Sequence, residues 1–138
     1  MRQVYVFEAE DIETSEVSQE FFLKYFRDAK GRSAEFFAIG PGLSNGKVIA
    51  RLKCFQYQDS VYVLAEARMS RTLIEHLLDT VRKKEAKKIF IAVLRDLPNF
   101  WNVFKTLAFI GFVQVDPKVQ RTMCVAPAVL MQLNISSV

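Results

Sequence analysis

The chain has little of what marks a membrane protein, a secreted scaffold or a metal centre. No apolar run reaches the roughly 20 residues that a bilayer-spanning helix needs. The opening Met1-Arg2-Gln3-Val4-Tyr5 is too short an apolar stretch for a secretory leader, and acids follow at once. There are two cysteines, Cys54 and Cys124, far apart in sequence, which suits a reducing compartment better than a disulfide framework. The expected location is cytoplasmic, with the nucleus also open. His76 is the one histidine, with no cysteine at ligand spacing, and a zinc site normally takes three or four protein ligands. No metal site and no cofactor are expected. Repeats and low-complexity segments are missing too.

What is present suits one folded domain. The chain has 138 residues, 51% of them hydrophobic and 12 of them phenylalanine, which is enough apolar surface for a core and argues against disorder. The net charge of +4 is unevenly spread. Glu8, Glu10, Asp11, Glu13, Glu16 and Glu20 make the start acidic, while Arg82, Lys83, Lys84, Lys87 and Lys88 form a basic run. Lysines in the last turn of a helix interact favourably with its dipole, so solvated helix-end charge is the plainest account of that run. An acidic protein surface or a phosphate backbone would be its functional partners. Nucleic-acid readers usually add exposed aromatics, and the aromatics here fall at buried-looking positions, which argues against a nucleic-acid partner.

Periodicity predicts an α/β domain. Gln3 to Phe7 reads as a short strand, and Ser15 or Ser18 could cap a helix reaching about Lys30, with Phe21, Phe22, Tyr25 and Phe26 at helical spacing and Gly31 as its cap. Glu35 to Ile39 reads as a strand, and Gly40 to Gly46 as the clearest turn in the chain. Lys47 to Tyr57 and Val61 to Ala65 alternate as a hairpin around Asp59-Ser60. Ser70 caps a helix with the apolar stripe Leu73, Ile74, Leu77, Leu78 and Val81. The run from Ile89 to Leu94 is apolar throughout, as a strand covered on both faces requires. Pro98 suits the first turn of the next helix, whose predicted buried face is Phe100, Trp101, Phe104, Leu107 and Ala108, with Gly111 ending it. Val113 to Val115 and Arg121 to Leu133 supply the last strands, the second interrupted at Pro127.

The strand-helix-strand-helix order from Asp59 to Phe112, closing on Ala108-Phe109-Ile110-Gly111-Phe112, resembles the central half of the acetyltransferase fold that grips acetyl-coenzyme A. The resemblance implies a glycine-rich turn at the start of the first helix, where backbone N–H groups approach a pyrophosphate. The turn here is Ala67-Arg68-Met69-Ser70-Arg71, without glycine. It also implies a tyrosine, as acid for the leaving thiolate, four residues before the final glycine. Leu107 stands there and cannot exchange a proton. With both parts missing, the expectation is a binding protein on an enzyme-like scaffold. Cys54 and Cys124 read as small core residues, and a nucleophilic Cys54–His76 pair has no local support.

Within that fold, Ser60 to Ala126 is similar to the ornithine decarboxylase antizyme family. The carrying stretch is Phe104-Lys105-Thr106-Leu107-Ala108-Phe109-Ile110-Gly111-Phe112, where antizymes typically read L-R-T-F-S-F-L-G-F. Lys88 to Val93 parallels H-V-F-I-C-F, Val113 to Pro117 parallels E-I-V-R-P, and Cys124 falls at the cysteine of D-A-C-F-M-A-Y. The resemblance implies one antizyme-like domain over 1–138, with 1–46 divergent and 59–133 the best-matching core. It implies a non-catalytic inhibitor that binds the ornithine decarboxylase monomer, blocks homodimerisation, directs it to the proteasome and so regulates polyamines. Antizymes carry an acidic first helix, L-L-E-F-A-E-E-Q-L, where only Asp79 keeps the sign here. The expected partner surface is Glu75, Asp79, Arg82 and Lys83, with Asp96 and Asn99 near the next helix start. The competing readings are a subunit of another protein assembly and a divergent acetyl-coenzyme-A-dependent N-acetyltransferase.

Overall fold

Seven strands form one mixed sheet in the order β1-β2-β3-β4-β5-β7-β6. The computed structural model describes residues 5–11, 26, 35–43, 52–65, 69–123 and 128–135. The strands are β1 (Tyr5–Asp11), β2 (Glu35–Leu43), β3 (Leu52–Tyr57), β4 (Ser60–Leu64), β5 (Lys88–Leu94), β6 (Val113–Gln114) and β7 (Ala128–Asn134). Among the described residues three helices join them: α1 (Arg71–Lys83), α2 (Phe100–Ile110) and α3 (Pro117–Met123). β4 and β5 run parallel, and every other described pair is antiparallel. The predicted α/β domain with a mixed sheet and flanking helices is the architecture observed.

Period-2 alternation divides the sheet into two cores. Val61, Val63, Ile89, Ile91, Val93, Val129 and Met131 face one side, where α1 and α2 cover them with Leu73, Ile74, Leu77, Val81, Val103 and Leu107. Phe55, Tyr62, Leu64, Phe90, Ala92 and Leu130 face the other, where Phe26 and Met123 join them. β4 and β5 thus carry an apolar residue at nearly every position because both faces are dry. α1 starts where Ser70 Oγ accepts a hydrogen bond from the Leu73 N–H at 3.1 Å, satisfying one orphan donor of the first turn.

Several expectations are corrected by packing. Gly40-Pro41-Gly42-Leu43 is strand, not turn, paired with Glu8 back to Tyr5. Beyond Ile39, β2 pairs with β1 alone among the described residues, so the donor that Pro41 lacks is not required by β3. Pro98 lies in the turn before α2, which begins at Phe100. The α2 stripe is rotated: Val103 and Leu107 are buried, whereas Ala108 is exposed and Trp101 is 66% exposed. The strand expected from Arg121 is helix up to Met123. Asp116 opens it, its carboxylate accepting from the Lys118 N–H at 2.8 Å, and Pro117 takes the first position. Phe26 forms an isolated bridge rather than a helical turn, and the rest of the helix expected up to Lys30 lies outside the described residues. Gly46, Cys124 and Pro127 also lie outside them.

Helix α3 is fastened to the sheet by one amide. Gln120 donates from Nε2 to the Ala128 carbonyl and accepts the Leu130 N–H on Oε1 at 3.0 Å, so it continues the ladder beside β7 as a short strand would. Ala128 and Leu130 are buried, and water cannot replace the partner freely. Gln120→Ala is expected to cost about 2–3 kcal/mol, since each buried backbone group left without a partner costs ~1–3 kcal/mol. Gln120→Glu should be no better, because a carboxylate would face the Ala128 carbonyl. Thermal unfolding of the two variants checks both.

Candidate functional site at the open end of the parallel pair

Among the described residues the parallel pair does not stay joined to its end. The last ladder bond between β4 and β5 runs from the Ala65 N–H to the Ala92 carbonyl at 2.9 Å. β5 then continues through Val93 and Leu94, which pair only with Val129 and Ala128 of β7 among the described residues. Crevices beyond the carboxyl ends of parallel strands are where α/β sheets present backbone groups and loops to ligands. A cleft of about 400 Å³ lies at this end, walled by Arg95 and by the run from Leu97 to Asn102.

Its wall is built by the start of α2. The rotation of that helix that buries Val103 and Leu107 leaves Trp101 facing outward, half-covered by Phe100 and Phe104. The three rings form one cluster, with centroids 5.3 Å apart for Phe100–Trp101, 5.9 Å for Trp101–Phe104 and 6.1 Å for Phe100–Phe104. Asn99 occupies the cap position with its Oδ1 buried, and Asn102 is exposed one turn on. Arg95 brings an exposed guanidinium, and among the described residues no carboxylate lines the wall.

The start of α1 stands at the same end of the sheet, because α1 follows β4. Its first turn has no acidic residue and opens on Arg71, whose guanidinium is 3.1 Å from Glu75 and lies 5.4 Å from the centroid of the Phe109 ring. Met69 is buried in the core, so the turn into α1 is pinned from inside.

The six residues expected at a partner surface divide between two ends. Asp96 and Asn99 stand beside the cleft, and Glu75 lies on the exposed face of α1 in an ion pair with Arg71. Asp79 and Lys83 form a second exposed i,i+4 pair at 3.3 Å, and Arg82 is exposed in the last turn. That last turn leads into the start of β5, the end of the sheet opposite the cleft. The rest of the basic run, Lys84, Lys87 and Lys88, is at that far end too. Cys54 is buried in β3, and burial pushes its thiol far above the ordinary range, only partly offset by Lys84, so it stays protonated. Among the described residues no cluster of three His, Cys, Asp or Glu could hold a metal ion, and no helix is long and apolar enough to cross a membrane.

Sequence reasoning missed Arg95 and Trp101. Arg95 had one signal, a cation immediately after an all-apolar strand. Trp101 had none, since its place in an aromatic run fits a buried face as well as an exposed one.

No protein-family model and no curated protein matches the sequence. Solved structures do match. The chain resembles the ribosomal-protein-S18-alanine N-acetyltransferase of Escherichia coli, at 16% identity over 96% of both chains with a TM-score of 0.55. It resembles the spermidine/spermine N-acetyltransferase of Vibrio cholerae, at 13% identity over 95% of this chain and 96% of the other, with a TM-score of 0.56. It also resembles the PaiA N-acetyltransferase of Thermoplasma acidophilum, solved with coenzyme A, at 10% identity over 94% and 99% with a TM-score of 0.52.

These likenesses overturn the antizyme resemblance and, with it, the decarboxylase-inhibitor function and its role in polyamine regulation. The motif that carried it is a requirement of the fold. Gly111 ends α2 at φ +124, which only glycine adopts readily, and Phe112 fills the core, so any chain folded this way needs such an ending. The expectation of a non-enzyme is corrected as well: the solved structures that share this fold are N-acetyltransferases. Leu107 is wholly buried against the sheet, so its position is not on the cleft wall. The chain has the fold of the GNAT-family N-acetyltransferases.

Proposed function

We propose that this protein is an acetyl-coenzyme-A-dependent N-acetyltransferase. The observation that carries the reading is the cleft at the carboxyl ends of β4 and β5, where the ladder between the parallel strands stops at Ala65 and Ala92. The residues around it fit the group. At the start of α1 the Leu73 N–H is taken by Ser70, the N–H groups of Arg71 and Thr72 are first-turn donors, and the first helical turn itself carries no acidic residue. The edge of Val93 and Leu94, unpaired toward β4 among the described residues, offers backbone groups to an amide-bearing arm.

Acetyl-coenzyme A would supply an acyl group activated as a thioester. The exchange balances simply: an amine and a thioester give an amide and a thiol, the carbon–nitrogen bond replacing carbon–sulfur and the amine proton ending on sulfur. The chain's own contribution is placement. Phe100 and Trp101 give one wall an aromatic surface, and the Asn99 and Asn102 amides can orient a carbonyl. Holding two reactants in a productive geometry is itself worth about 7–11 kcal/mol of barrier in the best cases.

Acetyl-coenzyme A at about 100 times its dissociation constant should stabilise the fold by ~2.7 kcal/mol, seen as a rise in melting temperature. Thiol release should then appear when a panel of primary amines is added. An unchanged melting temperature at millimolar acetyl-coenzyme A would sink the proposal.

A further inference from the structure

We infer that the cleft beside α2 is an acceptor pocket for an aromatic α-amino acid, with Arg95 holding the carboxylate and Trp101 the ring. The inference rests on the transferase reading and names the substrate class of that site. At about 400 Å³ the cleft lies at the small end of ligand pockets, so it suits a metabolite rather than a folded protein surface.

Three features choose the ligand. The first is charge. Arg95 is the charged residue of the wall, and its exposed guanidinium makes no ion pair or hydrogen bond among the described residues. A guanidinium presents a planar fork that matches a carboxylate with two parallel hydrogen bonds. Asp96 is adjacent in sequence but does not line the cleft. The second is the aromatic wall. Trp101 is 66% exposed although it is large and apolar, and Phe100 meets it edge-on at 81°. Such a cluster offers a planar partner an offset stack or a further edge-to-face contact. The third is what the wall lacks. Ring faces attract cations, and a polyamine would be the competing ligand. Among the described lining residues there is one guanidinium and no carboxylate, so a polycation meets a like charge on the wall itself.

An aromatic α-amino acid satisfies all three, and its amine lies between the two anchors. The Asn99 and Asn102 amides on the same wall are the neutral polar groups near it. Loss of the carboxylate or of the ring should each weaken binding, and by different partners.

Trp101 is the sole tryptophan of the chain, so its fluorescence reports on this cleft alone. The test is titration of the full-length protein with L-phenylalanine, phenethylamine, L-alanine and spermidine, read by Trp101 emission and by calorimetry. L-phenylalanine should bind about tenfold or more tighter than phenethylamine, as loss of a charge-assisted pair implies. Arg95→Gln should remove that preference while leaving the thermal shift with acetyl-coenzyme A unchanged. Equal binding of L-phenylalanine and phenethylamine would overturn the inference, as would tighter binding of spermidine or no response to any of the four. An Arg95→Gln variant that loses acetyl-coenzyme A and keeps L-phenylalanine would overturn it too, assigning the guanidinium to the donor. A failed transferase reading is seen separately, as a missing thermal shift with acetyl-coenzyme A in the unaltered protein.

Discussion

Phe55→Ala is expected to destabilise the fold by about 3–5 kcal/mol, the range for truncating a buried phenylalanine. Phe55 is wholly buried on the sheet face opposite α1 and α2. Its ring stacks on Tyr62 at 4.7 Å and meets Phe26 edge-on at 5.6 Å, while Phe26 also reaches Tyr62 at 5.3 Å. The three rings form a closed triangle, and Phe26 is its one member that comes from outside the β3–β4 hairpin. Removing Phe55 therefore takes away transfer energy, two ring contacts and the seat that holds Phe26. A domain of this size has about 5–15 kcal/mol in total, so roughly a fifth or more would go. The melting temperature should fall by roughly 10–20 °C. Phe55→Leu keeps most of the volume and should lose much less. Equal losses for the two variants would mean that the rings contribute only bulk.

Thr72→Glu should raise stability and abolish most cofactor binding, two effects of opposite sign from one charge. Thr72 is exposed in the first turn of α1, where no acidic residue stands. A carboxylate there meets the positive end of the helix dipole and should stabilise the free protein by ~0.3–1 kcal/mol. The same carboxylate faces whatever anion that turn holds. Two like charges at about 4 Å repel by ~1–4 kcal/mol between bulk water and a protein surface, so acetyl-coenzyme A should bind about tenfold more weakly or worse. Thr72→Lys should reverse both signs. The measurement is the melting temperature of each variant with and without acetyl-coenzyme A. A ligand shift that is the same in all three proteins would remove the α1 terminus from the binding site.

The supersecondary order was legible because it is written in local terms. The Ser70 cap, the stripe from Leu73 to Val81, the apolar β5 run and the Gly111 stop each follow from chemistry within a few residues. The antizyme resemblance misled for the same reason. Its best residues, up to Gly111-Phe112, are those that the helix end and the core beneath it demand, so they report the fold and not the lineage.

The candidate site was not legible, because its parts are defined by which way elements face. Phe100, Trp101, Phe104, Leu107 and Ala108 make as good a helical stripe as Phe100, Val103, Phe104, Leu107 and Ile110. Only contact with the sheet selects the second, and that choice puts Trp101 on the cleft wall. Arg95 becomes interesting only once β4 and β5 part before it. By itself the sequence determined the sheet-and-helix domain, since hydrophobic period, caps and turns act over a few residues. Tertiary structure alone decided the rotation of α2, the open end of the parallel pair and the gathering of Arg95 with Trp101. Those depend on packing between segments distant in sequence, where many faces are apolar enough and one fits.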